Sequence, residues 1–364
     1  MKKIAHICVH VGNGGGGDYI RNLISHLGHQ YEFHIFAPDV EKLISFVSEK
    51  NVFLHKINTK KLSIYNLYKF LKIIKTQKID VIVSHGKGAG VYGRVAGLIL
   101  RLPTNHYFHG FHYSKMKLVN KFLYLISEKL FSYTTNLYCF ISESEAEKVL
   151  SILKIKKHKV CVNPNGVDIT KFHTLESSVA NSKVIYLARN DPIKNLDDFI
   201  KLAELSSLRR TSLTFDLVGL EPDELTTPPE SLRGIIERSE ELENIRILPY
   251  VADPQAVLAS GRYYVSTSKG EGLPLAVLQA MSMGLNCILT NVSGHCDLID
   301  NTKNGHLVEI SEHYLNEMLE IIISLEKNDN RRAAISRAAR STVETKFTQA
   351  AHFDNVAKSY EEFF

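Results

Sequence analysis

Two cations and a carboxylate carry the strongest chemical signal in this 364-residue chain. Arg189 and Lys194, in LARNDPIKN, follow a short apolar run and straddle a turn, so both can converge on one anion at a strand's carboxyl end. Such a pair suits a diphosphate, where it would stabilise charge developing on a departing phosphate oxygen. A solvated pair beside Asp191 is the structural alternative. In STSKGEGLPLAVLQAMSMG (266–284), Glu271 sits in a glycine-flanked turn between a strand and a helix opened by Pro274. A carboxylate there is favoured by the helix N-terminus, and a plain helix cap would explain it equally. A third signal is the loop GNGGGGD (12–18), whose glycines let backbone N–H groups and a helix start approach an anion. It contains G-x-G-x-x-G as Gly12, Gly14 and Gly17, with Asp39 about twenty residues on, as in a dinucleotide fingerprint. Four consecutive glycines satisfy many patterns, however, and a flexible loop also fits. Gly86-Lys87 lacks the earlier glycine of a Walker A loop.

These residues need a scaffold, and the chain spells one out. Apolar runs of strand length, at 4–11, 32–37, 52–57, 79–84, 104–109 and 136–142, alternate with amphipathic stretches such as Tyr19–Leu27, Leu62–Thr76 and Val119–Phe131. A fresh series begins at 183–188 and continues at 213–218, 244–248, 262–267, 286–290 and 305–310. Strands separated by crossover-length helices predict parallel βαβ units, hence an α/β protein of two doubly wound, Rossmann-like halves. The length also exceeds what one core supports. The turn-forming Asn-Pro and Asn-Gly pairs of NPNGVDITKF (163–172) mark the linker, giving domains 1–164 and 165–345 and a closing helix over 346–364.

Composition excludes several classes. The chain is 44% hydrophobic and 23% charged, and its five cysteines form no CxxC pair, which argues for a reducing compartment and against disulfide or zinc scaffolds. No stretch approaches the roughly 18 uninterrupted apolar residues of a membrane span, predicting a soluble or membrane-peripheral protein. Residues 1–165 hold 24 Lys and Arg against 10 Asp and Glu, a net +14, whereas the remainder holds 20 against 29, a net −9. The basic half implies an anionic partner. YSKMKLVNKFLYLISEKLF (113–131), with Lys115, Lys117, Lys121 and Lys129 among apolar residues, and KIKKHK (154–159) resemble a bilayer-docking surface. Packing of that apolar stripe on the sheet is the competing reading. No recognition motif supports nucleic acid. His106, His109 and His112 tempt a metal assignment, but their spacing in an extended segment scatters them over both faces, so no metal is expected.

Taken in order, the glycine loop 14–17, His109-Gly110, ISES (141–144), PNGVD (164–168), Arg189 with Lys194, EGLP (271–274), SGHCDLI (293–299) and NGHLV (304–308) resemble the group-1, family-4 retaining glycosyltransferases of the GT-B fold. The resemblance implies a nucleoside-diphosphate sugar donor, UDP- or GDP-linked, and an acceptor hydroxyl on a growing surface polysaccharide. Arg189 and Lys194 would hold the diphosphate, Glu271 would contact donor-sugar hydroxyls, and His109 would sit by the reacting sugar. Gly14 and Gly15 would lie near phosphate or acceptor. Gly219, Tyr250, Gly272, Leu273 and Pro274 would line the donor side, and the last helix would return to the first domain.

One position departs from that family. Gln279 stands where the family has a second Glu, eight residues after Glu271, that grips the ribose diol. An amide accepts with oxygen and donates with nitrogen, so ribose binding is retained in principle with a weaker, uncharged bond. The absence of any Asp-x-Asp leaves the diphosphate to Arg189, Lys194 and backbone amides, so neither metal nor other cofactor is expected. Three alternatives stay open: a nucleotide-sugar epimerase on the same fold, a dinucleotide oxidoreductase and a non-catalytic nucleotide-sugar binder. The expected setting is the cytoplasm, peripheral on the inner membrane face, with a lipid-linked glycan as acceptor.

Overall fold

Buried, near-continuous apolar strands dictate parallel sheets covered on both faces, and the computed structural model, which describes residues 1–12, 15–47, 51–108, 118–173 and 182–364, contains two of them. The first unit comprises residues 1–164 and 350–364, the second 165–349. In the first, β1 (Lys2–Ile7), α1 (Gly15–Leu27), β2 (Tyr31–Ala37), α2 (Ile44–Val47), β3 (Val52–Lys56), α3 (Ile64–Gln77), β4 (Val81–His85), α4 (Gly86–Leu100), β5 (Thr104–Tyr107), α5 (Leu118–Phe131), β6 (Leu137–Phe140), α6 (Glu143–Leu153) and β7 (Val160–Val162) succeed one another. The strand order is β3-β2-β1-β4-β5-β6-β7, all parallel. The second unit runs β8 (Lys183–Leu187), α7 (Leu196–Leu208), β9 (Thr214–Leu220), α8 (Pro222–Thr226), α9 (Glu230–Glu240), β10 (Ile245–Pro249), α10 (Gln255–Ala259), β11 (Tyr263–Ser266), α11 (Leu275–Ser282), β12 (Asn286–Thr290), β13 (His306–Val308), α12 (Tyr314–Glu326) and α13 (Asp329–Lys346). Its order is β10-β9-β8-β11-β12-β13. A final helix, α14 (Gln349–Glu361), clusters with the first unit.

Alternation along the strands sorts the helices between faces. Ile4, Phe33, Ile35, Val81, Val83 and Cys139 pack with α1 and α14, whereas Ala5, Ile7, Phe36 and Ile82 pack with α3 and α4. Tyr138 and Phe140 meet α6 on that second face. So α3, α4, α5 and α6 share one side of the first sheet. The ISES turn starts α6, with Ser142 accepting from the Glu145 N–H, a helix N-cap. The PNGVD turn is built by Asp168, which accepts from the N–H groups of Thr170 and Lys171. Val167 bridges to Thr348, so the chain's two passages near the unit boundary run side by side.

The structure adds one strand, moves one cap and decides one open reading. The short edge strand β7 was not read from its half-buried Val-Cys-Val. Pro274 is the cap residue of α11 rather than its first helical residue. Of the two readings of the α5 stripe, the structure has the exposed one: Leu118, Val119, Phe122, Leu123, Ile126 and Leu130 are exposed, while the buried residue is Glu128. The cause is Arg94 of α4, whose guanidinium forms a bidentate pair with Glu128 at 2.6 and 2.9 Å. A buried arginine demands a paired carboxylate, and the helix face that satisfies it leaves Leu118, Leu123 and Leu130 outward while Leu125 packs inward. Among the basic residues read as surface, Lys129 and Lys159 donate to backbone carbonyls of Leu153 and of Ser132 and Thr135. Lys115 and Lys117 lie outside the described residues. No helix among the described residues is long and apolar enough to cross a membrane.

α14 is docked through polar as well as apolar groups. Tyr360 hydrogen-bonds His6 Nε2 at 3.0 Å, and His6 Nδ1 meets His85 Nε2 at 2.8 Å. His352 bonds the Pro164 carbonyl. Burial pushes His6 down to about 3 and His352 to about 4. Because both remain neutral in the fold but titrate near their ordinary value when unfolded, the unfolded chain binds more protons below about pH 6.5. Stability therefore falls on acidification, by up to about 1.4 kcal/mol per pH unit for each such group. Thermal melts should show the midpoint dropping between pH 7 and pH 5, above the carboxylate range. A midpoint unchanged over that interval would contradict the buried-histidine account.

Candidate active site

In an open parallel sheet, ligands bind beyond the carboxyl ends of the strands where the winding reverses. In the second unit that reversal falls between β8 and β11, adjacent strands far apart in sequence. The turn after β8 carries Arg189 and Lys194; the turn after β11 carries Glu271. The structure joins them directly: Lys194 Nζ lies 2.7 Å from Glu271 Oε1, with side chains only 19% and 10% exposed.

Two turns are clamped to make this contact. Lys269 N–H donates to the Ile193 carbonyl, and Thr267 Oγ1 donates to that of Asn195. Ser268 Oγ donates to Glu271 Oε1 at 2.6 Å, while the buried Tyr186 hydroxyl donates to the Lys194 carbonyl (2.7 Å) and lies 2.9 Å from Ser268 Oγ. Burial pushes the Tyr186 phenol above its ordinary value, so it stays a neutral donor. Both bonds to Glu271 fall on Oε1, leaving Oε2 without a hydrogen bond among the described residues. From β12, Thr290 Oγ1 donates to the Ser268 carbonyl at 2.5 Å, and His295 bonds the Thr290 carbonyl through Nδ1. His295 is fully buried and pushed down to about 4, chiefly by desolvation. The turn containing it presses on Glu271, whose N–H donates to the Ser293 carbonyl.

The remaining expected residues fall as follows. Arg189 is exposed and has no ion-pair or side-chain hydrogen-bond partner among the described residues, so its five N–H donors face outward at the same sheet edge. Gly219 lies at the end of β9, and Tyr250 follows β10 with its N–H on the Leu220 carbonyl. Gly272 abuts Gly294; Leu273 is buried, its carbonyl accepting from Asn165. Gln279 lies half-buried on α11, its amide without a hydrogen bond among the described residues. Gly15 begins α1 on the first unit. Gly14 and His109 lie outside the described residues. The first unit's glycine loop has a packing reason of its own: a Cβ on Gly17 would lie 1.7 Å from the Gly12 carbonyl oxygen. Asp39 is committed to that loop, accepting from the Val11 N–H and pairing with His10, so the structure does not offer it as the ribose ligand of a dinucleotide fingerprint. Among the described residues no group of three His, Cys, Asp or Glu is arranged to hold a metal ion. Tyr186, Ser268, Thr290 and His295 were missed by sequence reasoning; only SGHCDLI hinted at the last.

Two doubly wound parallel sheets with the site at the switch point of the second define a GT-B protein. Models of families described as "Glycosyltransferase Family 4" and "Glycosyl transferases group 1" match residues 13–171 and 181–328. The chain belongs to the group-1, family-4 glycosyltransferases. It is 27% identical, over 71% of its length and 70% of the relative, to the Escherichia coli UDP-Gal:alpha-D-GlcNAc-diphosphoundecaprenol alpha-1,3-galactosyltransferase. To the Escherichia coli O-antigen biosynthesis glycosyltransferase WbnH it is 25% identical, over 94% and 96% of the two chains. The fold superimposes on Anabaena HepE in complex with UDP-glucose with TM-score 0.84, at 16% identity and full coverage of both chains.

The clamp makes a stability prediction. Gly294 has φ +85°, and a Cβ there would lie 2.4 Å from the Gly272 carbonyl oxygen. Gly294→Ala should therefore destabilise the protein by roughly 1–3 kcal/mol from backbone strain alone. Denaturant titration giving the wild-type midpoint would contradict the close approach of the two turns.

Proposed function

We propose that this glycosyltransferase moves a sugar from a nucleoside diphosphate to a hydroxyl of a growing, lipid-linked surface glycan, with retention and without a metal ion. The observation that carries the reading is the Lys194–Glu271 contact across the switch point, with Arg189 on the same turn as Lys194 and without an ion-pair partner among the described residues. Arg189 and Lys194 supply the positive charge that a diphosphate needs. When the diphosphate takes up Lys194, Glu271 turns from ion-pair partner to acceptor for sugar hydroxyls, with Oε2 already open. His109 contacts the reacting sugar, and Gln279 bonds the ribose. The bond from the anomeric carbon to the diphosphate breaks, the acceptor oxygen joins that carbon on the same face, and its proton passes to the departing diphosphate oxygen. The printed functions of the relatives support a polysaccharide acceptor, and UDP in the names of the Escherichia coli relative and of the Anabaena complex favours UDP over GDP. The basic first unit, with its exposed α5 leucines, supports work at the cytoplasmic face of an anionic membrane.

Arg189→Ala and Lys194→Ala should each lower turnover by on the order of 10²–10³, the scale for losing one preorganised donor to a developing anion. Sugar-nucleotide turnover on a lipid-linked acceptor, with the product anomer read by NMR and EDTA added in parallel, checks the assignment. Wild-type rates in both variants would remove the diphosphate role, and an inverted anomer or loss of activity with EDTA would overturn retention or metal independence respectively. Gln279→Leu should weaken donor binding by roughly 1–3 kcal/mol, whereas Gln279→Glu should preserve or tighten it. Calorimetry showing unchanged affinity in the Leu variant would take Gln279 out of the ribose site.

A further inference from the structure

The first turns of α3 expose apolar residues that nothing in the active-site account uses. Leu62 is 67% exposed, Ile64 88%, Tyr65 73% and Tyr68 64%. Such a cluster on a well-folded helix is unusual unless another surface covers it. The segment is also not a loose tip. Tyr92 of α4 reaches over to donate to the Lys61 carbonyl at 2.8 Å and to accept from the Ser63 N–H at 2.8 Å. Thr59 donates to the Cys8 carbonyl at the end of β1, and Ser63 N-caps the helix. The apolar cluster is therefore held out rigidly from the sheet's carboxyl edge.

Its charge environment identifies the occupant. Residues 57–79 contain six lysines and no Asp or Glu, and residues 50–127 hold fourteen Lys and Arg against the single carboxylate Asp80. Lys60 and Lys61, both exposed, flank the cluster directly. α3 lies on the same side of the sheet as α5, and both helices begin at the carboxyl edge, so the exposed start of α3 and the exposed Leu118, Val119, Phe122 and Leu123 of α5 form two apolar projections on one face. Phosphates alone would satisfy the lysines but leave Leu62 and Ile64 unaccounted for. A bilayer with anionic headgroups over hydrocarbon satisfies both.

We propose that the first two turns of α3 insert into an anionic bilayer as a second docking element, fixing with α5 the orientation of the first unit on the membrane. This rests on the membrane-proximal acceptor proposed above and names the surface that meets it. The sequence contains no tryptophan, so Tyr65→Trp creates a single fluorescent reporter at the cluster, and Leu208→Trp, at an exposed residue of the second unit, supplies a control. With vesicles of phosphatidylglycerol and phosphatidylcholine, the Tyr65→Trp emission should shift to the blue and resist aqueous quenchers, while the control should not change. Lys60→Glu/Lys61→Glu and Ile64→Ser/Tyr68→Ser variants, checked for wild-type melting, should sediment with these vesicles on the order of 10–100-fold less strongly at unchanged donor affinity. If wild type sediments but the α3 variants do so equally and the reporter stays in water, the α3 proposal fails while membrane docking through α5 stands. If wild type ignores the vesicles, or binds single-stranded DNA and not the vesicles, both readings fail.

Discussion

Everything in the second unit converges on one ion pair. Lys194 and Glu271 come from turns 77 residues apart in sequence, and only the reversal of winding between β8 and β11 makes those turns neighbours. An ion pair this shielded is costly to desolvate unless its remaining hydrogen-bonding capacity is met. Ser268 meets part of it, while Tyr186 and the backbone bridges hold the two turns in place. The arrangement stops short of saturation: among the described residues one carboxylate oxygen and the whole guanidinium of Arg189 are left over. A structural bridge would gain from closing those valences; a site that must accept an anion and hydroxyls has to keep them open.

The first unit faces the opposite problem. Its high positive charge has few internal partners among the described residues, and there the one deeply buried cation, Arg94, takes the carboxylate of α5 inward. That choice leaves Leu118, Leu123 and Leu130 of α5 on the outside, and the same unit leaves the start of α3 uncovered. Exposed hydrocarbon and unbalanced positive charge thus occur together in one unit.

Much of this was legible from sequence because the strands of a parallel sheet are apolar along their whole length and the helices between them are not. Thus twelve strand runs could be read directly, the two units divide within the stretch read as a linker, and two of the residues singled out, Lys194 and Glu271, prove to be in contact. What could not be read depended on partners distant in sequence. Tyr186 and Ser268 look like ordinary strand-end residues until the fold brings them within 2.9 Å of each other. His295 is hinted at only by SGHCDLI, and its full burial against Thr290 emerges only in the fold. The orientation of α5 stayed open between an exposed and a core-facing stripe, because apolar counts fit both and the deciding partner, the buried Arg94, comes from another helix. Asp39 illustrates the converse: its spacing from the glycine loop matched a ribose ligand, but the structure uses it to brace the loop itself.

The central claim is that Arg189, Lys194 and Glu271 form the cradle for a nucleoside diphosphate sugar. A crystal structure of the protein soaked with UDP tests it most directly. The account predicts diphosphate oxygens within hydrogen-bond distance of the Arg189 guanidinium and Lys194 Nζ, with the Lys194–Glu271 contact lengthened. A diphosphate bound elsewhere, with that ion pair intact, would contradict it.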